Sequence, residues 1–84
     1  MENLKLVVLM NNQILITRIE ESPSELGEPD CKLINPYLVS KNKTIEPLFI
    51  DYTEQKVFMI HSDKIFTITE PNPELTNKYN KISQ

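Results

Sequence analysis

The sequence predicts a small, mostly β domain of about five strands followed by one short helix. Three observations carry that expectation. Apolar and β-branched residues come in short runs, "LKLVVLM", "ILITRI", "CKLINPYLV", "KVFMI" and "KIFTI", which have the length and residue types of strands. Clusters of Asn, Pro, Ser, Asp and a lone Gly separate the runs and favour turns. Near the C-terminus, Leu75, Tyr79 and Ile82 recur at spacings of four and three, the apolar stripe of a helix.

Residues 4–10 are apolar at nearly every position, which suits a strand buried on both faces. "NNQ" at 11–13 is a hairpin turn, because Asn tolerates positive φ. In the second strand Ile14, Ile16 and Arg18 share one face, and Leu15, Thr17 and Ile19 the other. "ESPSELGEPD" (21–30) holds two prolines and the only glycine and reads as a surface loop at the tip of the next hairpin. "CKLINPYLV" (31–39) is the third strand, with Pro36 marking a bulge or an edge. After the polar turn "SKNKT" (40–44), residues 45–55 leave room for a short strand before a turn at Asp51–Gln55. "KVFMI" (56–60) and "KIFTI" (64–68) are two more strands linked by "HSD". Pro71 ends the last strand, Asn72 is the expected N-cap, Pro73 the first helical residue, and Glu74 faces the positive end of the helix dipole. The chain is expected to be a single domain over 1–84, with strands over about 4–70 and a C-terminal helix over about 73–82.

With 84 residues the domain is marginal on its own, and such chains recover stability from disulfides, metals or oligomerisation. Cys31 has no second cysteine to pair with, and one Cys with one His cannot complete a structural zinc site. Oligomerisation is therefore the expected supplement. Nine Lys and Arg against twelve Asp and Glu leave a net charge of −3, unlike the basic footprint of an indiscriminate nucleic-acid binder. No run has the length of a membrane-spanning helix, and the N-terminus lacks a signal-peptide pattern. The lone thiol fits a reducing compartment, so a cytoplasmic protein without membrane contact is expected.

No convergent catalytic set is visible, and no enzyme activity or cofactor is expected. His61, Ser62 and Asp63 carry the residue types of a hydrolase triad, but consecutive residues of extended chain point to opposite faces. No glycine-bearing elbow surrounds Ser62. Cys31 at a strand start reads as buried and inert. Asp51, Glu54, Asp63 and Glu70 lack the spacing of a metal loop. With Gly27 as the only glycine, no glycine-rich phosphate loop exists. Tyr37, Phe49, Tyr52, Phe58 and Phe66 are expected in the core or an interface more than as base-stacking platforms.

The last two strands and the third resemble the Sm-like family. "IHSDKIFTI" fits that family's second motif at Ile60, Asp63, Ile65 and Ile68, with His61 in place of Arg and Ser62 in place of Gly. "CKLINPYL" fits its first motif at Ile34, Asn35 and Leu38, with Cys31 replacing Asp and Leu33 replacing an aromatic. The blocks "DCKLINPYLV" and "HSDKIFTITEPNPEL" are similar to the small Sm-like proteins of marine cyanophages and ocean metagenomes. The resemblance implies a strongly bent five-stranded antiparallel sheet, an open barrel, assembled into a homo-oligomeric ring of about five to seven copies. In such rings strand four of one copy pairs with strand five of the next. That assigns Val57, Phe58, Met59, Ile60, Ile65, Phe66 and Ile68 to the interface. An Sm-like chain ordinarily begins with a helix; here the helix comes last and is expected to cover the barrel mouth. The resemblance also implies a pocket for single-stranded RNA at Asn35, His61, Ser62 and Asp63. Leu33 removes the stacking surface, worth roughly 1–3 kcal/mol per base, and His61 does not replace a permanent Arg charge at neutral pH. Two functions are compatible with these residues. One is a ring that binds single-stranded RNA weakly through a degenerate pocket, in the cytoplasm of an infected host if phage-encoded. The other is an assembly ring with no nucleic-acid role.

Overall fold

The structure, a computed structural model, describes residues 4–21 and 25–82. In chain order it contains β1 (Leu4–Leu9), β2 (Ile14–Glu21), β3 (Cys31–Val39), β4 (Ile45–Pro47), β5 (Val57–Ile60), a 3-10 turn (Ser62–Lys64), β6 (Ile65–Thr69) and α1 (Pro73–Ile82). Six strands form where five were expected, because the uncertain stretch at 45–55 does contribute a three-residue strand.

β1 and β2 make the expected hairpin, with Val8 opposite Ile14. Asn12 takes a left-handed φ of 72° at its tip, and the Asn11 side chain accepts from the Gln13 N–H at 3.0 Å. Each device closes a backbone group that would otherwise be left open. β2 pairs with β3 along nearly its whole length, but the register breaks between Ile16 and Arg18: two steps along β2 correspond to three along β3, from Ile34 to Tyr37. The extra residue is a bulge at Asn35–Pro36, where the sequence placed one. Asn35 has a φ of 54°, and the buried Thr17 hydroxyl fills the gap, 2.9 Å from the Arg18 carbonyl and 3.1 Å from that of Ile34.

All strand pairs are antiparallel. β3 is flanked on one side by β2 and on the other by β4 along its C-terminal half and β5 along its N-terminal half. β1 is flanked by β2 and β6, so the order from end to end is β4 or β5, then β3, β2, β1 and β6. β5 and β6, joined only by His61 and the 3-10 turn, therefore sit at opposite ends of the sheet. The sheet is curled but not closed, since β5 pairs with β3 and β6 with β1.

The curl is driven by burial on both faces. One cluster, Val7, Leu15, Leu33 and Leu48, gathers Phe58 and Ile60 from β5 and Ile65 from β6. Side chains from both ends of the sheet meet there, which requires the sheet to bend over on itself. The other face holds Leu4, Ile16 and Tyr37, covered by Leu75 and Tyr79 of α1. This is how β1 buries both faces, as its unbroken apolar run implied: Leu4 and Leu6 serve one cluster, Val7 and Leu9 the other.

α1 starts as the sequence reads. The Asn72 side chain accepts from the Leu75 N–H at 2.9 Å, capping an N–H that has no partner within the helix. Leu75 and Tyr79 are buried, and burying a leucine contributes on the order of 1.5–3 kcal/mol. Ile82, the third member of the expected stripe, is half exposed; its carbonyl instead accepts from the Tyr37 hydroxyl at 3.2 Å. The Tyr37 and Tyr79 rings meet edge to face at 5.4 Å, and the Arg18 guanidinium lies 5.6 Å from the centre of the Tyr79 ring.

Candidate functional site

The β5–β6 link is short because β5 ends where the 3-10 turn begins. His61 is extended, the Lys64 N–H donates to the His61 carbonyl at 3.0 Å, and the Met10 N–H donates to the Lys64 carbonyl at 2.8 Å. "HSD" thus carries the chain from one end of the curled sheet to the other. Ser62 is clasped from the β2–β3 loop: its N–H and its hydroxyl both donate to the Asp30 carboxylate, at 2.7 and 2.8 Å. These two hydrogen bonds hold the Asp30 carboxyl below its ordinary range. Ser62 therefore faces a carboxylate directly, with no imidazole between them, and a carboxyl so stabilised as its anion is a weak base. A shallow hollow of about 370 Å³ opens beside the clasp, lined by Leu26, Gly27, Glu28, Asp30 and the His61–Asp63 segment.

Asn35 lies elsewhere. Cys31 is opposite Ile60 and Ile34 opposite Val57, so Asn35 is level with Lys56 and His61 with Asp30. At about 3.3 Å per residue the two sites are roughly 15 Å apart along β3. Asn35 is fixed by its backbone: its N–H donates to the Lys56 carbonyl at 2.6 Å, and its carbonyl accepts from the Tyr79 hydroxyl at 2.9 Å. It borders a second hollow of about 360 Å³ with Pro36, Pro47, Leu48, Ile50 and Lys56. Within one chain, then, His61, Ser62 and Asp63 are together and Asn35 is apart from them. The residue that sequence reasoning missed is Asp30. Its signal was available only through the strand register, which places it across from His61.

The seven residues expected at an interface divide by face. Phe58, Ile60 and Ile65 point inward to the Val7–Leu15–Leu33 cluster. Val57 (42% exposed), Met59 (47%) and Phe66 (70%) point out, whereas Ile68 (45%) is exposed at the sheet edge on the inner face, opposite Val7, because the register of β6 on β1 breaks at Phe66. The edge of β5 away from β3, and that of β6 away from β1, have no strand beside them among the described residues. Cys31 is buried, and burial, followed by the nearby Asp30 and Glu21 charges, pushes its thiol upward. Among the described residues no three His, Cys, Asp or Glu side chains are grouped to hold a metal ion, and no helix is long and apolar enough to cross a membrane.

Residues 2–84 match DUF6561, described as a family of unknown function. The chain belongs to that family. No curated protein matches it. For this DUF6561 chain, the candidate features among the described residues are the open edges of β5 and β6, the Asp30–Ser62 clasp and the hollow beside Asn35.

Proposed function

We propose that this chain is an Sm-like subunit that assembles into a homo-oligomeric ring by pairing β5 of one copy with β6 of the next. One observation carries the reading. Two of the strands with open edges, β5 and β6, lie at opposite ends of one curled sheet, each displaying exposed apolar side chains, and His61 with a single 3-10 turn joins them. Open edges are templates for pairing, and a head-to-tail contact that closes on itself makes a ring. The bulged third strand, the curl and the short link between the last two strands also fit the open barrel implied by the Sm-like motifs.

The RNA pocket draws less support. Its Asn35 stands roughly 15 Å from His61 along the strand, and the surroundings of His61 carry Glu28, Asp30 and Asp63, which repel phosphate. We therefore favour the assembly ring with no nucleic-acid role. Light scattering on the purified protein at micromolar concentration should give a mass of several chains; a stable single-chain mass sinks the ring. Titration with oligouridine at low salt should give no binding at micromolar protein, and binding abolished by Asn35→Ala or His61→Ala would restore the RNA reading.

A further inference from the structure

The β2–β3 loop holds a leucine out in solvent on a fixed turn. Leu26 is fully exposed, yet the backbone around it is tied. The Glu28 N–H donates to the Glu25 carbonyl at 3.0 Å, and the Glu25 N–H donates to the Glu28 carboxylate at 3.2 Å. Gly27 takes a φ of 90°, the pattern of a type II turn, which needs glycine at its third position. Asp30, at the end of the same loop, is clasped to Ser62 at 2.7 and 2.8 Å. An exposed leucine is ordinary; one held at the tip of an anchored turn loses little freedom on binding. Carboxylates flank it. Glu25 and Glu28 are exposed beside it, and Glu20 and Glu21 are exposed at the base of the loop, with Lys32 opposite Glu20 in the ladder.

The other end of β3 has the complementary character. A hollow of about 370 Å³ lies there, lined by the half-buried Leu38 and Ile45 together with Ser40, Thr44 and Glu46. Ser40 and Thr44 belong to the β3–β4 turn, which also carries the exposed Lys41 and Lys43. That turn is ordered, since the Asn42 side chain accepts from the Ser40 and Thr44 hydroxyls at 2.6 and 2.9 Å. α1 adjoins it: the Lys78 ammonium donates to the Lys43 carbonyl at 2.9 Å, and Lys81 follows about one helical turn later. Against these four cations stand Glu46 and Glu74, the latter 3.7 Å from Lys43 and 3.9 Å from Lys78. Cations remain in excess. The other hollows suit an acid-flanked leucine less well. The one beside Tyr52 is bordered by Glu46 and Asp51, and in the one beside Asn35 Glu54 offsets Lys56. The leucine turn and the lysine turn cap opposite ends of β3, which has nine residues at about 3.3 Å each, so one chain does not bring them together. We infer that a second copy of this chain does. Leu26 of one copy seats against Leu38 and Ile45 of the next, and Glu25 and Glu28 face Lys41 and Lys43. The contact joins unlike surfaces, so copies associate head to tail. It uses neither β5 nor β6 and stands apart from the ring proposed above.

Charge reversal tests the contact. The mass from light scattering at about 0.02 M salt should exceed that at about 0.5 M, where screening weakens exposed charge pairs. Glu25→Lys with Glu28→Lys, and separately Lys41→Glu with Lys43→Glu, should each hold the chain at its high-salt mass in low salt. An equimolar mixture of the two should regain the higher mass, because each reversed end then meets an end of opposite sign. Surface ion pairs such as Lys43–Glu74 contribute little to folding, so both variants should keep the far-ultraviolet spectrum of the unaltered chain. Leu26→Ser leaves the charge unchanged and should raise the concentration of half-association at least about tenfold, the loss expected when a leucine is no longer buried. A low-salt mass no higher than the high-salt mass overturns the contact. So does either double variant associating normally, a mixture that fails to recover, or Leu26→Ser without effect. The high-salt mass reports the strand-paired ring separately: a single-chain value there removes the ring and leaves this contact standing.

Discussion

The Asp30 carboxylate reaches from the β2–β3 loop to the β5–β6 link, and both of these bonds end on Ser62. Because the Ser62 donors favour the anion, the folded-state pKa lies below the usual 3.8. The clasp is therefore fully formed above pH 3.8 and is lost as pH falls through the lowered value. Ser62→Ala removes the first and larger cause and should move the Asp30 titration upward, as followed by carboxyl carbon NMR; an unmoved titration would show that the Ser62 hydroxyl does not hold the carboxylate in solution. Residue types alone suggested a turn at His61–Asp63, and that much was legible. The partner was not, because Asp30 is 32 positions away and meets Ser62 only once Cys31 and Ile60 are in register. Cys31 was legible as buried, since a lone thiol at the start of an apolar strand has only Lys32 adjacent, and that side chain points to the other face.

α1 and the β3 bulge depend on each other. Tyr79 is fully buried, and its hydroxyl satisfies the Asn35 carbonyl at the point where β3 leaves its ladder. The Asn35 N–H in turn holds the Lys56 carbonyl at the entry to β5. The helix thus braces the strand whose outer edge is open. Tyr79→Phe keeps the packing and removes the bond, leaving a part-buried carbonyl unpaired, and should cost about 1–3 kcal/mol in urea unfolding. Asn72→Ala, which removes only the cap, should cost about 1 kcal/mol. A Tyr79→Phe loss indistinguishable from zero would mean that water replaces the bond and the brace is packing alone. The N-cap, the bulge proline and the first two stripe residues were readable locally. Ile82 was not: periodicity placed it in the stripe, but the sheet face beneath α1 is filled by Leu4, Ile16 and Tyr37 before the helix reaches its last turn.

At the scale of the whole chain, two small clusters on either side of a curled sheet do the work of a core, and eleven large apolar side chains among the described residues remain exposed. A single copy of this size gains little beyond what folding costs in chain entropy. If neighbours bind only the folded chain, assembly adds stability that grows with concentration. The thermal midpoint should then rise as protein concentration is raised from about 1 to 100 µM, a range set by the logarithmic dependence of linkage. Phe66→Asp, on an exposed edge, should flatten that dependence without lowering the midpoint at the dilute end. A midpoint independent of concentration in the unaltered chain would place its stability in the single copy.

Local chemistry was enough to write the mostly β character, the Asn turn, the bulge at Pro36, the capped terminal helix and the buried thiol into the sequence. Each of these depends on a few neighbouring residues and their φ, burial or hydrogen-bonding preferences. Tertiary structure alone decided which strands lie side by side, that β5 and β6 end at opposite edges of one sheet, and that Asp30 rather than Asn35 stands beside His61 and Ser62. Those are facts of register and curvature. They arise because side chains from distant strands must share one small volume, and no stretch of sequence read by itself contains that constraint.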